Sequence, residues 1–318
     1  MVSTLASFSI FIFIVGVDMK IQFKSHNKCE IHNIDGSVRE HKVLMFIDFK
    51  YLDVFVNWLL YYYDACGSFS RLEIICIDSR AEVDLYQLTG LKCSLVIVNE
   101  NTNLHSSDAS PGELASLWFK RIEVLQSFLH KSDIVFSDSD ALWLKNPLDD
   151  ITIHNAAIVA SRSWWPWPLF REWGACVCMG FFYIRKEKFS INFVNEIYNR
   201  MKSGVDGTSS TLANKSSLAR TFLRSDDQIA VNDQLKVWNV TWRSKKMNVG
   251  NNTKPDYGYI FRYGVNHKIV LLEHSKYIRK CHTLPLKFDG AKEVSLRVSQ
   301  FHTNLGVGSF HKLLPMAI

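Results

Sequence analysis

Asp133-Ile-Val-Phe-Ser-Asp-Ser-Asp-Ala-Leu-Trp-Leu-Lys-Asn-Pro147 is the stretch from which the rest of the chain can be understood. Ile134-Val135-Phe136 is an apolar run of strand length. It leads into Asp138-Ser139-Asp140, two carboxylates one residue apart. Where a chain leaves extended geometry, both side chains can turn toward one point. Carboxylates that share a point repel and raise each other's pKa unless a cation sits between them. Hard oxygen donors suit Mg²⁺ or Mn²⁺, which keep waters and bridge to phosphorylated ligands. An isolated Asp-x-Asp is a common tripeptide and is often only a solvated pair at a strand end. Here a hydrophobic strand precedes it and Ala-Leu-Trp-Leu-Lys-Asn-Pro follows, which favours a site.

From Lys42 to this stretch, strand and helix alternate. Strands are predicted from Val43 to Ile47, Leu72 to Ile77 and Ser94 to Val98. Helices are predicted from Leu52 to Ala65, Ala81 to Leu88 and Glu113 to His130, with Gly67 and Gly90 as stop signals and a polar loop from Asn99 to Gly112. The alternation implies an α/β fold: a Rossmann-like, mostly parallel sheet with helices on both faces. Ligands of such sheets sit beyond the carboxyl ends of the strands. Asp78 follows the second strand, and Asp138 and Asp140 follow the fourth. They share a rim if those strands are near neighbours.

Downstream, strands are predicted from Ala157 to Ala160, Val177 to Ile184, Val237 to Trp242 and Ile269 to Leu272. A helix is predicted from about Phe189 to Met201. Trp164-Trp-Pro-Trp-Pro168 is expected to be a non-helical aromatic loop, because proline fixes φ and removes a donor. Gly204 to Ser217 reads as a surface loop. Ser225-Asp-Asp-Gln228 reads as a helix N-terminus, with Ser225 as cap and acids in the first turn. No internal repeat or low-complexity linker is present. Two segments are expected. Residues 1–41 are a signal- or anchor-like apolar segment with a polar lead-in, turning at Asn33 to Gly36. Residues 42–318 are a single catalytic domain.

The 318 residues are 47% apolar and 21% charged, an ordinary globular balance. The net charge of +6 is scattered without a Lys/Arg block, so no nucleic-acid stripe is expected. Mild basicity helps an anionic substrate approach. Seven Cys leave at least one unpaired, and none has zinc-finger spacing, so core positions and disulfides are expected. Leu5 to Val17 is shorter than the roughly 20 apolar residues of a membrane span. It is nearer a secretory core segment, although no Lys or Arg precedes it, and a buried strand is the alternative. Asn214-Lys-Ser216, Asn239-Val-Thr241 and Asn251-Asn-Thr253 fit the glycosylation acceptor pattern. The expected location is the secretory pathway.

Further candidates gather around the Asp pair. His302 can complete a metal site begun by Asp138 and Asp140. Gly306 and Gly308 let backbone approach a diphosphate, and Lys312 can neutralise it as a point charge. A hydrogen-bonded core histidine and plain turn glycines are the alternative. Asp227 and Gln228 are candidate catalytic groups, with capping as the rival role. Trp164, Trp165 and Trp167 can stack on a sugar ring or close over apolar surface. Lys120, on the helix before the Asp pair, either faces the substrate or is solvated.

These residues resemble the nucleotide-diphospho-sugar transferase family that includes plant rhamnogalacturonan xylosyltransferases and arabinosyltransferases. Phe136 to Pro147 resembles its Asp-x-Asp segment with the following Trp-Leu and Pro. Asn57-Trp58 resembles its Asn-Trp pair, and Lys120 its lysine ahead of the metal strand. Gly180-Phe-Phe-Tyr-Ile-Arg185 resembles its Gly-Phe strand, Asp227-Gln228 its Asp-Gln pair, and Phe301-His302 its late histidine. The likeness runs from about Lys42 to Lys312. It departs at Cys176-Val-Cys178-Met179, where the family often has Asn, and the late Gly-x-Gly with Lys312 is more like other retaining transferases.

The resemblance implies a GT-A fold, Mn²⁺ (or Mg²⁺) dependence, a nucleotide-sugar donor (UDP-linked by preference), a carbohydrate acceptor and transfer with retention. It implies that Asp138 mainly addresses ribose and metal and that Asp140 binds metal directly, with His302 as the late histidine; Ser139 between them is a further donor-binding candidate. Asp78 and Lys120 would face the donor, Asp227 the acceptor or the charge developing on the sugar, and Lys312 the leaving group. Two other classes remain open. One is a phosphatase of haloacid-dehalogenase type with Asp138 as nucleophile. The other is an inactive carbohydrate-binding protein using the Trp164 loop.

Overall fold

The computed structural model describes residues 29–97, 111–208, 226–244 and 255–273. A small hairpin of β1 (Ile31–His32) and β2 (Val38–Arg39) comes first. Then follow β3 (His41–Ile47), α1 (Leu52–Cys66), β4 (Leu72–Cys76), α2 (Ser79–Thr89), β5 (Ser94–Leu95), α3 (Pro111–Leu129) and β6 (Asp133–Ser137). After the Asp pair come α4 (Leu148–His154), β7 (Ile158–Ser163), α5 (Trp167–Trp173), β8 (Cys176–Ile184), α6 (Lys188–Thr208) and α7 (Asp227–Val237). The described chain closes with β9 (Thr241–Arg243), β10 (Tyr257–Arg262) and β11 (Val265–Leu272).

Nine strands form one sheet in the order β5-β4-β3-β6-β8-β7-β11-β10-β9. Strands β5, β4, β3 and β6 run parallel, β8 runs against both β6 and β7, and β10 runs against β11 and β9. With β7 parallel to β11, all but β8 and β10 point the same way. The expected α/β fold is therefore present. Only β3 separates β4 from β6, so Asp78 and the Asp pair do share a rim. Side chains alternate between the faces, as strand geometry requires. Val43, Met45, Val135, Phe181 and Tyr183 pack with Phe55 and Trp58 of α1, Leu85 of α2 and Leu148 of α4. Leu44, Ile134, Phe136, Phe182 and Ile184 pack on the other face with Leu125 of α3, Phe193 of α6 and Leu235 of α7.

Several expectations change. Of the strand predicted from Ser94 to Val98, β5 takes Ser94–Leu95, and Val98 lies outside the described residues. The aromatic loop is shorter than expected, because Trp167 and Pro168 open α5. Proline is tolerated there since first-turn amides have no intrahelical partner. α6 runs on through Gly204 to Thr208, where a loop was expected. The cap of α7 is Asp226, whose carboxylate accepts from the Ile229 amide at 2.9 Å; Ser225 lies outside the described residues. Val237 ends α7 instead of starting a strand, because Trp238 packs edge-on against Phe189 and Phe193. β10, not expected, pairs with β11 through a turn at Tyr263 and Gly264, both left-handed.

The lead-in is, from Cys29 onward, part of the fold. A Cys29–Cys66 disulfide ties it to the end of α1, and Cys76–Cys93 joins β4 to the approach to β5. Cys176 and Cys178 are buried thiols, and burial pushes the Cys176 thiol up to about 12. The apolar segment from Leu5 to Val17 lies outside the described residues. Among the described residues no helix is long and apolar enough to cross a membrane.

Asp133 anchors the amino end of β6. Its buried carboxylate accepts from Arg39 Nε at 2.6 Å and Nη2 at 3.0 Å, from the Tyr183 hydroxyl at 2.7 Å and from the Lys186 amide at 2.7 Å. Removing one partner of a buried pair strands the other's charge. Asp133→Ala is expected to lower unfolding free energy by about 3–5 kcal/mol in a denaturant titration. A loss indistinguishable from zero would refute this anchoring role.

Candidate active site

At the carboxyl end of β6 the chain turns sharply. The Ala141 amide donates to the Asp138 carbonyl at 3.0 Å, closing a four-residue turn that carries both Asp138 and Asp140. The Asp138 amide donates to the Gly180 carbonyl of β8 at 2.8 Å. Trp58 reaches over from α1, and its indole N–H donates to the Ala141 carbonyl at 3.0 Å. Trp143, just past the turn, donates from its indole N–H to Ser137 Oγ at 3.2 Å. The two indoles meet edge to face at 5.6 Å, with Tyr62 against both. Both tryptophans are buried, so the turn is clamped from inside the core. Ser139 is buried within it.

On α3 the residue facing this turn is Arg121. Lys120 pairs instead with Glu123 at 2.5 Å on the outer, partly exposed side of the helix. Arg121 Nη2 lies 3.3 Å from Asp138 Oδ1 and Nε lies 3.1 Å from Asp227 Oδ2. Its guanidinium covers the Phe136 ring at 4.3 Å. Sequence reasoning named Lys120 and passed over Arg121, though a signal for Arg121 was present. Leu117, Arg121 and Leu125 are spaced by four, and both leucines are buried.

Asp227 is the first residue of α7 and is 3% exposed. Its carboxyl is pushed up to about 7 by burial; Arg121 pulls it back, and Asp226 and Asp138 push it further. Burial also raises the Asp226 carboxyl, against the amides of Ile229 and Gln228. Gln228 is wholly engaged. Its Oε1 accepts from the Met179 amide at 3.2 Å, and its Nε2 donates to Ser163 Oγ at 3.0 Å and to the Trp165 carbonyl at 2.7 Å. It therefore stitches α7 to β8, to the end of β7 and to the aromatic loop. Beyond that stitch, Trp164 is 62% exposed and meets Trp165 only edge to face. Trp167, also exposed, stacks on Phe170.

The remaining candidates divide. Asp78 caps α2 through the Ala81 amide at 2.7 Å and accepts from the Phe49 amide at 2.9 Å, so it ties two rim loops together. Tyr51, not singled out in the sequence, stands at the same rim. Burial raises its phenol pKa, and the charges of Asp140, Asp48 and Asp138 raise it further. His302, Gly306, Gly308 and Lys312 lie outside the described residues. Among the described residues no three His, Cys, Asp or Glu form a metal-holding group. Two carboxylates on one turn nonetheless fit a hard divalent cation, which needs few protein oxygens when waters and phosphate complete its shell.

Trp58→Phe keeps a ring in the core and leaves the Ala141 carbonyl without its donor. The expected loss is about 1 kcal/mol of stability. Unchanged melting would dismiss the clamp.

The nucleotide-diphospho-sugar transferase family model matches residues 68–256, more than half of the chain. No curated protein matches it. Among solved structures, the glycosyltransferase GlyE of Streptococcus pneumoniae TIGR4 is 14% identical, covers 60% of this chain and 44% of its own, and gives a TM-score of 0.31. The galactosyltransferase LgtC, solved with donor and acceptor sugar analogs, is 11% identical over 57% of this chain and 69% of its own, with a TM-score of 0.36. The bifunctional glycosyltransferase WbbM is 12% identical over 59% and 37%, with a TM-score of 0.35. This chain thus spans less than half the length of GlyE. The family match takes in the Asp138–Ala141 turn, Arg121 and Asp227. The chain belongs to the nucleotide-diphospho-sugar transferase family.

Proposed function

We propose that the chain is a metal-dependent glycosyltransferase that moves a sugar, with retention, from a nucleotide diphosphate to a glycan or protein-linked acceptor in the Golgi lumen. The single observation behind this is the clamped turn, which brings two carboxylates to the rim where Arg121 joins Asp138 to Asp227. Asp138 and Asp140 would hold Mn²⁺ or Mg²⁺, with His302 as a further candidate ligand. A divalent cation there supplies Lewis-acid neutralisation of the departing diphosphate. Arg121 adds a fixed positive charge beside it, already stacked and so costing little reorganisation. Asp227 is the carboxylate for the reacting sugar. Its burial concentrates its field on whatever it faces.

The acceptor side is assigned to Trp164, whose ring is exposed on the same rim, with the loop fixed by Gln228. Gln228 is a positioning residue in this scheme, because its amide is spent on three protein partners. UDP as the nucleotide and retention as the stereochemistry are carried over from the family resemblance. The luminal location is supported by two disulfides, which persist in oxidising compartments. Membership of the transferase family weighs against the phosphatase alternative.

Asp140→Ala is expected to cut Mn²⁺-dependent hydrolysis of a nucleotide sugar by at least about 10²-fold while melting like the parent. Full Mn²⁺-dependent turnover by that variant would refute the metal assignment. Trp164→Ala is expected to raise the acceptor KM and leave donor hydrolysis in water unchanged. An unchanged acceptor KM would remove Trp164 from the acceptor site.

A further inference from the structure

Of the three acceptor triplets, Asn239-Val240-Thr241 falls within the described residues, and Asn214 and Asn251 fall outside them. Asn239 stands just past α7 with φ of 56°, a left-handed position that asparagine tolerates better than most side chains. Its backbone N–H donates to the Lys236 carbonyl at 2.9 Å, and the Val240 N–H to Leu235 at 3.1 Å. The turn is held by these backbone bonds and by the buried Trp238 beside it. Asn239 and Thr241 are both exposed. Among the described residues no hydrogen bond is made by the Asn239 side-chain amide.

Strand register locates this turn. Thr241 lies opposite Tyr259, Tyr259 lies opposite Lys268, and the Lys268 carbonyl accepts from Ala157, at the amino end of β7. Gln228 is bonded to Ser163, at the carboxyl end of the same strand. α7 separates the two by roughly 16 Å at 1.5 Å per residue. A large substituent on Asn239 therefore leaves the rim of Asp138, Asp227 and Trp164 uncovered. Burying two disulfides, the fold also belongs to the oxidising environment in which such substituents are added.

We propose that Asn239 carries an N-linked glycan. In that step Asn239 Nδ2 attacks C1 of an oligosaccharide carried on a lipid diphosphate. The Nδ2–C1 bond forms and the C1–O bond breaks. The lipid diphosphate leaves with the bonding pair, and the amide proton passes to a base of the transferring enzyme. The proposal is independent of the sugar-transfer chemistry of this chain.

The test uses the full chain expressed in a eukaryotic secretory host, followed by peptide-N-glycosidase treatment and peptide mapping. Asn239 is expected to be converted to aspartate by the glycosidase. Thr241→Ala is expected to lose that one glycan completely, and Thr241→Ser to keep it. After enzymatic deglycosylation, Thr241→Ala and the parent are expected to melt alike and hydrolyse donor alike. Recovery of the Asn239 peptide unmodified from the parent protein, whether or not Asn214 or Asn251 carries sugar, would overturn the proposal. So would retention of the modification in Thr241→Ala.

Discussion

A single indole N–H, given by Trp58 to the Ala141 carbonyl, decides where the acidic turn sits. Carboxylates placed one residue apart on a free loop would diverge to escape each other and to stay hydrated. Here the carbonyl that follows Asp140 is fixed to a helix buried on one face of the sheet, while the Asp138 amide is fixed to β8. The backbone between those points has little freedom left. Charge from outside the turn then bears on acids whose backbone positions are set. The buried aromatic cluster of Trp58, Tyr62 and Trp143 makes that constraint stiff, because moving the turn would open a cavity lined by large rings.

Arg121 supplies part of that outside charge. It is pinned by the Phe136 ring and lies between Asp138 and Asp227, two acids from segments far apart in sequence. The arrangement joins the two halves of the rim electrostatically. On one side stands the acidic turn; on the other stands α7, whose second residue, Gln228, holds the aromatic loop. A shift of α7 would therefore be felt at both the acids and the exposed indoles.

The sequence carried the first half of this plainly. Alternating apolar runs and glycine stops located β3 to β6 and the helices between them, and the Asp pair was visible as a motif. What it could not carry was direction and partnership. That β8 runs against β6 depends on pairing between segments about fifty residues apart, which local periodicity does not encode. Pro168 misled because a proline is excluded from helix interiors but welcome in a first turn. Val237 to Trp242 misled because an apolar run serves equally as a helix end or a strand. Lys120 was chosen over Arg121 by motif, although the spacing of Leu117 and Leu125 pointed to Arg121. Asp78 and Gln228 look like ligand groups on paper, yet both hold parts of the fold together: Asp78 accepts from two backbone amides, and Gln228 bonds two backbone groups and the Ser163 hydroxyl.

The place of β8 has a further consequence for synthesis. β6 and β7 are successive strands in the chain but not neighbours in the sheet; the nine buried residues of β8 come later and are inserted between them. A nascent chain that has left the ribosome only as far as α5 carries two open strand edges facing a gap. Such edges are ready templates for wrong pairing. The facing edges of β6 and β7 must wait for a segment not yet translated. Chaperone occupancy should therefore be greatest in the interval between the emergence of β7 and that of Ile184.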